Sequence, residues 1–132
     1  MTNAQTSDIV EQAAAESFEA TLNRLVQAIE AAGMTVFATI DHALNARTVG
    51  LAMSPTPVLV YGSPKGGTPI MLAAPMTALD LPLRVLVRER DDGIVTIAFH
   101  PIAGVLQSAG APEDAATRLE PAQQMLLKAI AQ

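Results

Sequence analysis

The fold is decided by the stretch LRVLVRERDDGIVTIAFH, residues Leu83–His100. Apolar residues alternate with other residues on both sides of Asp91-Asp92-Gly93, and this period of two is typical of β-strands. The Asp-Asp-Gly sequence favours a tight turn, because glycine adopts the positive φ that such turns require. The stretch therefore predicts a β-hairpin with strands over Leu83–Arg90 and Ile94–His100.

The register of this hairpin depends on the length of its loop. A two-residue turn would set the apolar residues of the second strand, Val95, Ile97 and Phe99, beside Leu86, Arg88 and Arg90. A three-residue loop with Gly93 in a left-handed conformation gathers them instead with Leu83, Val85 and Val87. Since a single apolar face fixes the register strongly, we predict the second arrangement. It sets Arg84 opposite His100, with Arg88 further along the same polar face.

Three upstream segments predict further strands. Met34, Val36, Ala38 and Ile40 alternate with Thr35, Phe37 and Thr39, which predicts a strand with these two faces that ends at Asp41. The sequence PTPVLVYG predicts a buried strand between Pro57 and Gly62. The short sequence DIVEQAA, residues 8–14, is interpreted as a first strand.

Helices are predicted between the strands. The residues Phe18, Leu22, Leu25, Val26 and Ile29 recur with the spacing of one helical face. Ser17 suits the N-cap of this helix and Gly33 suits its end. Asp41 suits the N-cap of a second, short helix in HALNARTVG, which Gly50 would close.

The remaining segments are rich in proline and glycine. Residues 63–82 are predicted to form a loop with one or two short helices, the first capped by Thr68 with Pro69 at its first position. A short helix is predicted over Ile102–Ala109, ended by Gly110. Pro112 and Pro121 each suit a helix start, so the last helix is predicted to break at Glu120. Its apolar stripe consists of Leu119, Leu126, Leu127 and Ile130.

Length and composition indicate one folded domain over residues 1–132, with a flexible N-terminus at 1–7 and a helical segment at 112–132. Half of the residues are hydrophobic and only 16% are charged, so a disordered chain is disfavoured. The predicted class is α+β: a compact single domain, mainly an antiparallel sheet with helices packed on one face.

Charge and residue usage exclude several functions. The net charge of −5 argues against nucleic acid and against anionic membrane surfaces, which both need clustered lysine and arginine. There is no apolar run long enough for a transmembrane helix, no secretory signal and no cysteine. Two histidines far apart make no metal motif. We therefore expect a cytoplasmic protein that needs no metal and no cofactor.

Three motifs in the middle of the chain resemble those of a known family. TIDHALNARTVG, PTPVLVYGSPKGGTPIM and ALDLPLRVLVRERDDG are similar to successive motifs of the domain-of-unknown-function 302 family. The resemblance spans Phe18–Pro101 and implies a compact α+β domain that is commonly a dimer and has no established biochemical role. Tyr61, Ser63, Arg88 and His100 depart from the Phe, Asn, Trp and Asn that the family favours.

Asp41, His42 and Asp80 are the candidate catalytic residues. An acid and an imidazole at a strand end could supply a base and its orienting partner, or two metal ligands. The structural alternative, which we favour, is that Asp41 caps a helix whose first turn contains His42. Asp80 could act as a catalytic carboxylate, but we favour a structural role as a turn cap or as a partner for Lys65 or Arg84.

The candidate ligand-binding residues surround the sequence YGSPKGGTP. Gly66, Gly67 and Thr68 beside Lys65 could bind a small anion through backbone amides, with Tyr61 and Arg84 included in this set. The alternative is that glycine and proline serve turn geometry alone. Arg84, Arg88 and His100 could likewise receive a carboxylate or a phosphate. We favour instead a solvated face or a subunit contact for these residues.

Three hypotheses about function follow. The first is a homodimer that binds a small molecule or a partner protein without turnover, with methionines such as Met71, Met76 and Met125 available for an adaptable pocket. The second is an enzyme for a small anionic substrate, with Asp41, His42, Lys65 and Asp80 in one cleft. The third is a structural or regulatory interaction module.

Overall fold

A computed structural model describes residues 8–131 and contains one antiparallel sheet flanked by helices. The strands are β1 (Val10–Ala13), β2 (Thr35–Asp41), β3 (Pro57–Gly62), β4 (Leu83–Glu89) and β5 (Val95–Phe99), in the spatial order β1-β5-β4-β3-β2. The helices are α1 (Phe18–Ala31), α2 (His42–Arg47), α3 (Pro64–Ala73), α4 (Ile102–Ser108) and α5 (Glu113–Ile130), with a 3₁₀ helix over Pro75–Leu79. The predicted α+β class is confirmed; the flexible terminus predicted at 1–7 lies outside the described residues.

The β4–β5 hairpin has the predicted three-residue loop. Val87 lies opposite Ile97, and Gly93 adopts a φ of 85°. The amide of Arg90 donates to the carbonyl of Ile94 at 2.8 Å, and the amide of Gly93 donates to the carbonyl of Arg90 at 2.9 Å. This register collects the buried residues on one face, as the alternation of apolar residues requires.

β2 differs from its prediction, because a bulge at Phe37 reverses the faces of the strand. Val36 lies opposite Tyr61 but Ala38 lies opposite Val60, so the register shifts between these two pairs. Paired residues share a face and neighbouring residues on a strand do not. The prediction that Val36, Ala38 and Ile40 lie on one face is therefore wrong, since Ala38 and Ile40 lie on the face opposite to Val36.

Most helix ends are at the predicted residues. The Ser17 hydroxyl accepts a hydrogen bond from the amide of Ala20 at 3.2 Å, and Gly33 follows the end of α1 with a φ of 81°. The Asp41 carboxylate accepts one from the amide of Leu44 at 3.0 Å, so this acid caps α2. Each cap satisfies an amide that has no partner within its own helix.

Two helix predictions are wrong. α3 begins at Pro64, not after Thr68, because Ser63 caps it and its hydroxyl accepts from the amide of Lys65 at 3.2 Å. α5 continues through Pro121 without the predicted break. Pro121 and the residue four positions before it, Thr117, are both exposed, so water can satisfy the carbonyl that the proline leaves unbonded.

One face of the sheet carries the core, and most residues of the other face are less buried. Leu25, Ile29, Leu126 and Ile130 of α1 and α5 pack with sheet residues such as Val85 and Ile97, all at most 2% exposed. On the opposite face, Val58, Val60 and Leu86 are half-buried, and Arg84 and Arg88 are exposed. The helices therefore lie on one side, as predicted.

Candidate functional site

An apolar cavity of about 400 Å³ lies beside the first turns of α3, and we call it the α3 cavity. Elements distant in sequence meet around it: the start of β2, the end of β3, α3, the segment before β4, and α5. Its apolar lining includes Met34, Phe37, Met71, Leu81, Pro82, Leu119 and Ala122. A cavity of this size and lining is typical of small-molecule sites in proteins.

Gly66 and Gly67 form the α3 wall of this cavity. A methyl group added at Gly66 would lie 3.8 Å from the Leu119 side chain, and one at Gly67 would lie 3.8 Å from that of Met71. These are ordinary van der Waals distances, so alanine fits at both positions. Neither glycine adopts a positive φ. Neither backbone conformation nor steric crowding therefore requires glycine here.

The polar groups near the α3 cavity are largely engaged with one another. The Ser63 carbonyl accepts hydrogen bonds from the amides of Gly66 at 3.0 Å and Gly67 at 2.9 Å. Arg118 is paired with Asp114 at 2.9 Å. The predicted anion cradle is therefore not formed by these amides, since the same bonds that build the helix occupy them. Thr68 also lines the cavity, whereas Lys65 does not, and both side chains are exposed.

A second cavity of about 370 Å³ lies at the end of the sheet where β4 begins and β5 ends, and we call it the β4–β5 cavity. Three charged or titratable residues line it: Asp80, Arg84 and His100. Its remaining lining is mostly apolar and includes Val58, Leu86, Ala98, Ile102 and Val105. Arg84 thus joins Asp80 and His100 here, while it is separate from the other predicted ligand-binding residues. Sequence reasoning named all three but did not group Asp80 with His100.

Tyr61, one of the predicted ligand-binding residues, lies in the core. Its side chain is 0% exposed, and its hydroxyl donates to the carbonyl of Ala122 on α5 at 3.1 Å. Burial raises the pKa of the Tyr61 phenol far above its ordinary value near 10. The residue thus connects β3 to α5, and its hydroxyl is not free for a ligand.

The catalytic group proposed from sequence is not brought together. Asp41 lies opposite Pro57 at one end of the β2–β3 pair, and Thr35 lies opposite Gly62 at the other. The five-residue separation along β3 corresponds to roughly 17 Å. The loop after Gly62 that carries Lys65 is therefore at the far end from Asp41 and His42. Asp80 lines the β4–β5 cavity, which neither Asp41 nor His42 reaches.

The described residues offer no alternative metal centre. No group of three or more Asp, Glu, His or Cys side chains within residues 8–131 is arranged to hold a metal ion. No helix in this part of the chain combines the length and the hydropathy that a bilayer crossing demands.

Comparison with known families and structures identifies the fold. The model of the family "Domain of unknown function DUF302" matches residues 10–132, so the match includes α5 and extends beyond the region that the motifs indicated. The crystal structure of an uncharacterized conserved protein DUF302 from Bacillus stearothermophilus has a TM-score of 0.80 to this chain. The two share 13% sequence identity, over 94% of this chain and 96% of the other.

Curated relatives with the same segment are longer proteins. The fluoride-specific ion channel FluC 1 of Brucella suis biovar 1 is 32% identical over 114 residues, which are 85% of this chain and 45% of the relative. FluC 1 of Brucella abortus biovar 1 and FluC 2 of Brucella melitensis biotype 1 are also 32% identical, over 42% of their length. The chain thus spans less than half the length of these relatives.

Proposed function

We propose that this chain, which belongs to the DUF302 family, is a homodimeric binding protein that takes up a small, uncharged apolar molecule in the α3 cavity. The observation that carries the proposal is the pair of glycines in the cavity wall. The proposal places the protein in the cytoplasm, in keeping with a chain that contains no cysteine.

The glycines weaken the helix that contains them. A glycine inside a helix costs roughly 0.5–1 kcal/mol relative to alanine, because it loses more backbone freedom on folding. Alanine would fit at Gly66 and at Gly67 without a clash, and would remove that cost. However, the added methyl groups would fill part of the α3 cavity. Space for a ligand is therefore the benefit that offsets the loss of helix stability.

The chemistry of the lining favours an apolar ligand without a formal charge. Met34 and Met71 have flexible side chains that adapt to the shape of a bound molecule. The cation at the edge, Arg118, already has a carboxylate partner in Asp114. A charged ligand would therefore lose hydration in the cavity without gaining a free ion partner.

The homodimer is proposed to form through the β2–α2 arm, which we define as residues 40–53. Five large apolar side chains of this arm are 38–71% exposed: Ile40, Leu44, Val49, Leu51 and Met53. The arm contains few charges, with Asp41 and Arg47 of opposite sign. In a two-fold interface, the same surface of each protomer contacts its copy. A surface whose charges cancel avoids electrostatic repulsion between the copies and therefore suits a second copy of this chain.

The first test is native mass spectrometry of the purified protein. The proposal predicts a dimer that carries an additional mass, which is lost on unfolding. A monomer without an adduct at all concentrations would contradict both parts of the proposal.

Methionine-methyl NMR tests the site itself, with 1-octanol as an apolar probe. We expect the signals of Met34 and Met71 to shift together and to saturate. Met53 and Met76, which are 46% and 67% exposed and lie outside the cavity, serve as internal controls. Equal, unsaturable shifts at all methionines would indicate nonspecific partitioning and would reject the cavity as the site.

A second candidate function is an interaction module that acts beside a membrane channel. It is favoured by the Brucella relatives, which are named fluoride-specific ion channels and of which this chain spans less than half. The net charge of −5 disfavours fluoride as the ligand of this domain. Titration with fluoride, followed by ¹⁹F NMR, should therefore show no saturable binding; saturable binding would favour an ion-sensing role over the apolar ligand.

A further inference from the structure

We infer that the β4–β5 cavity is a second binding site, specific for an amino acid with an apolar side chain in its zwitterionic form. This inference does not depend on the proposed function, since the residues involved line a different cavity. It rests on three features of the cavity: two opposite charges that are not paired with each other, an apolar lining, and a volume of about 370 Å³.

The two charges belong to Asp80 and Arg84. Within residues 8–131 the ion pairs are Glu16–Arg24, Arg90–Asp92 and Asp114–Arg118, so neither Asp80 nor Arg84 is in one. Both line the same cavity. A carboxylate and a guanidinium that face one space without contact can each bind the opposite charge of a ligand between them.

A zwitterion satisfies both charges, whereas a simple ion satisfies only one. The ligand carboxylate would pair with Arg84, whose planar guanidinium donates two parallel hydrogen bonds to such a group. The ligand ammonium would pair with Asp80. A phosphate or a dicarboxylate would pair with Arg84 but would be repelled by Asp80. An amine would pair with Asp80 but would be repelled by Arg84.

The rest of the lining provides for an apolar side chain. Val58, Leu86 and Ala98 come from three neighbouring strands, and Ile102 and Val105 come from α4. Their burial by a ligand side chain would contribute about 25 cal/mol for each Å² removed from water. The cavity is large enough for a branched aliphatic side chain.

The backbone around His100 is held in place by a buried amide. Gln123 is 3% exposed; its side chain donates to the carbonyl of His100 at 2.9 Å and accepts from the amide of Ile102 at 3.0 Å. Both ends of this amide are thus engaged in structure and not in ligand binding. The consequence is a fixed position for His100, whose imidazole can offer the ligand carboxylate a further hydrogen bond.

The test is a calorimetric titration of the full chain with L-leucine and three matched probes. Glycine lacks the apolar side chain, 4-methylpentanoate lacks the ammonium group, and 3-methylbutylamine lacks the carboxylate. We expect saturable binding of leucine and at least tenfold weaker binding of each probe. Binding of 4-methylpentanoate as tight as that of leucine, or no saturable binding of leucine up to solubility, would overturn the inference.

Variants assign the charges. Asp80→Asn and Arg84→Gln should each weaken leucine binding at least tenfold. Their controls are Asp91→Asn in the hairpin loop and Arg88→Gln on the same face of β4, both outside the cavity. Each control should change the affinity for leucine less than twofold. Far-ultraviolet circular dichroism and thermal unfolding show whether each variant is folded. Folded Asp80→Asn and Arg84→Gln variants with unchanged affinity would reject the site even if leucine binds elsewhere.

Discussion

The two ends of β3 present apolar side chains in opposite ways. At the Gly62 end, Met34, Met71 and Leu119 line a cavity of about 400 Å³. At the Pro57 end, side chains of the β2–α2 arm such as Val49 and Leu51 project outward and are 71% and 66% exposed. A concave apolar space suits a small molecule, whereas a projecting apolar surface suits another protein. In the proposed function, one strand thus separates two binding roles that composition alone does not distinguish.

The largest effect is expected from a charge in the β2–α2 arm. Leu51→Asp sets two carboxylates into the proposed two-fold interface, and their desolvation should weaken dimerisation at least 100-fold. The stability of the isolated protomer should change by less than about 0.5 kcal/mol, because Leu51 is exposed. Sedimentation equilibrium measures the change.

The matched control for this prediction is Leu72→Asp on α3. Leu72 is 79% exposed and lies outside the arm, so its replacement should leave dimerisation unchanged. If Leu51→Asp dimerises with the affinity of the unaltered protein, the arm is not the interface and the contrast between the two ends of β3 fails.

Tyr61→Phe tests the connection between β3 and α5 at the Gly62 end. The change removes the hydrogen bond from the Tyr61 hydroxyl to the carbonyl of Ala122, which should lower the free energy of unfolding in urea by about 1 kcal/mol.

The same variant should alter the pH dependence of stability. Because burial raises the pKa of folded Tyr61, the unfolded state loses this proton first, above a pH of about 10. Below that pH, the un-ionised Tyr61 phenol makes its full contribution to stability. This contribution is lost as the pH rises from there towards the pKa of folded Tyr61. The unaltered protein should therefore lose stability above a pH of about 10 more steeply than Tyr61→Phe. Equal slopes would contradict the burial of an un-ionised phenol.

Asp41→Ala tests whether the acid at the Pro57 end is structural. Loss of the cap on the amide of Leu44 should reduce the free energy of unfolding by about 1 kcal/mol, as seen by chemical denaturation. Asp41→Asn keeps an acceptor and should cost less. His42→Ala is the control: its side chain is exposed, so the stability should change by less than about 0.5 kcal/mol. A larger loss for His42 than for Asp41 would give the imidazole a role that the helix cap does not explain.

Local patterns were sufficient to predict much of the fold. The hairpin register followed from the alternation around Gly93, and the caps at Ser17 and Asp41 followed from residues that suit the first amides of a helix. The bulge at Phe37 was not predictable, because apolar residues alternate through it without interruption. The predicted start of α3 is wrong because two Ser/Thr-Pro pairs suit a helix start. The prediction uses Thr68-Pro69, whereas α3 begins at Ser63-Pro64.

The candidate sites were less predictable than the fold, because they depend on contacts between distant segments. The sequence predicts an anion cradle at Gly66 and Gly67. Their position in a cavity wall depends on the packing of α5, whose Leu119 lies beside Gly66. The sequence offers Arg84 as a partner for Asp80 and sets Arg84 opposite His100, but only the fold shows that all three line one cavity. Within the Asp41-His42 pair, the most conspicuous in the sequence, Asp41 caps α2 and His42 is the first residue of that helix.

The central claim, that glycine in α3 keeps space for a ligand, is tested most directly by Gly67→Ala beside Gly104→Ala. Gly104 lies in α4, where an added methyl group would meet no atom within 4 Å. Both variants should gain roughly 0.5–1 kcal/mol in the free energy of unfolding, but only Gly67→Ala should weaken binding of 1-octanol at Met34 and Met71. A Gly67→Ala protein that is destabilised, or that binds the probe as the unaltered protein does, would contradict the claim.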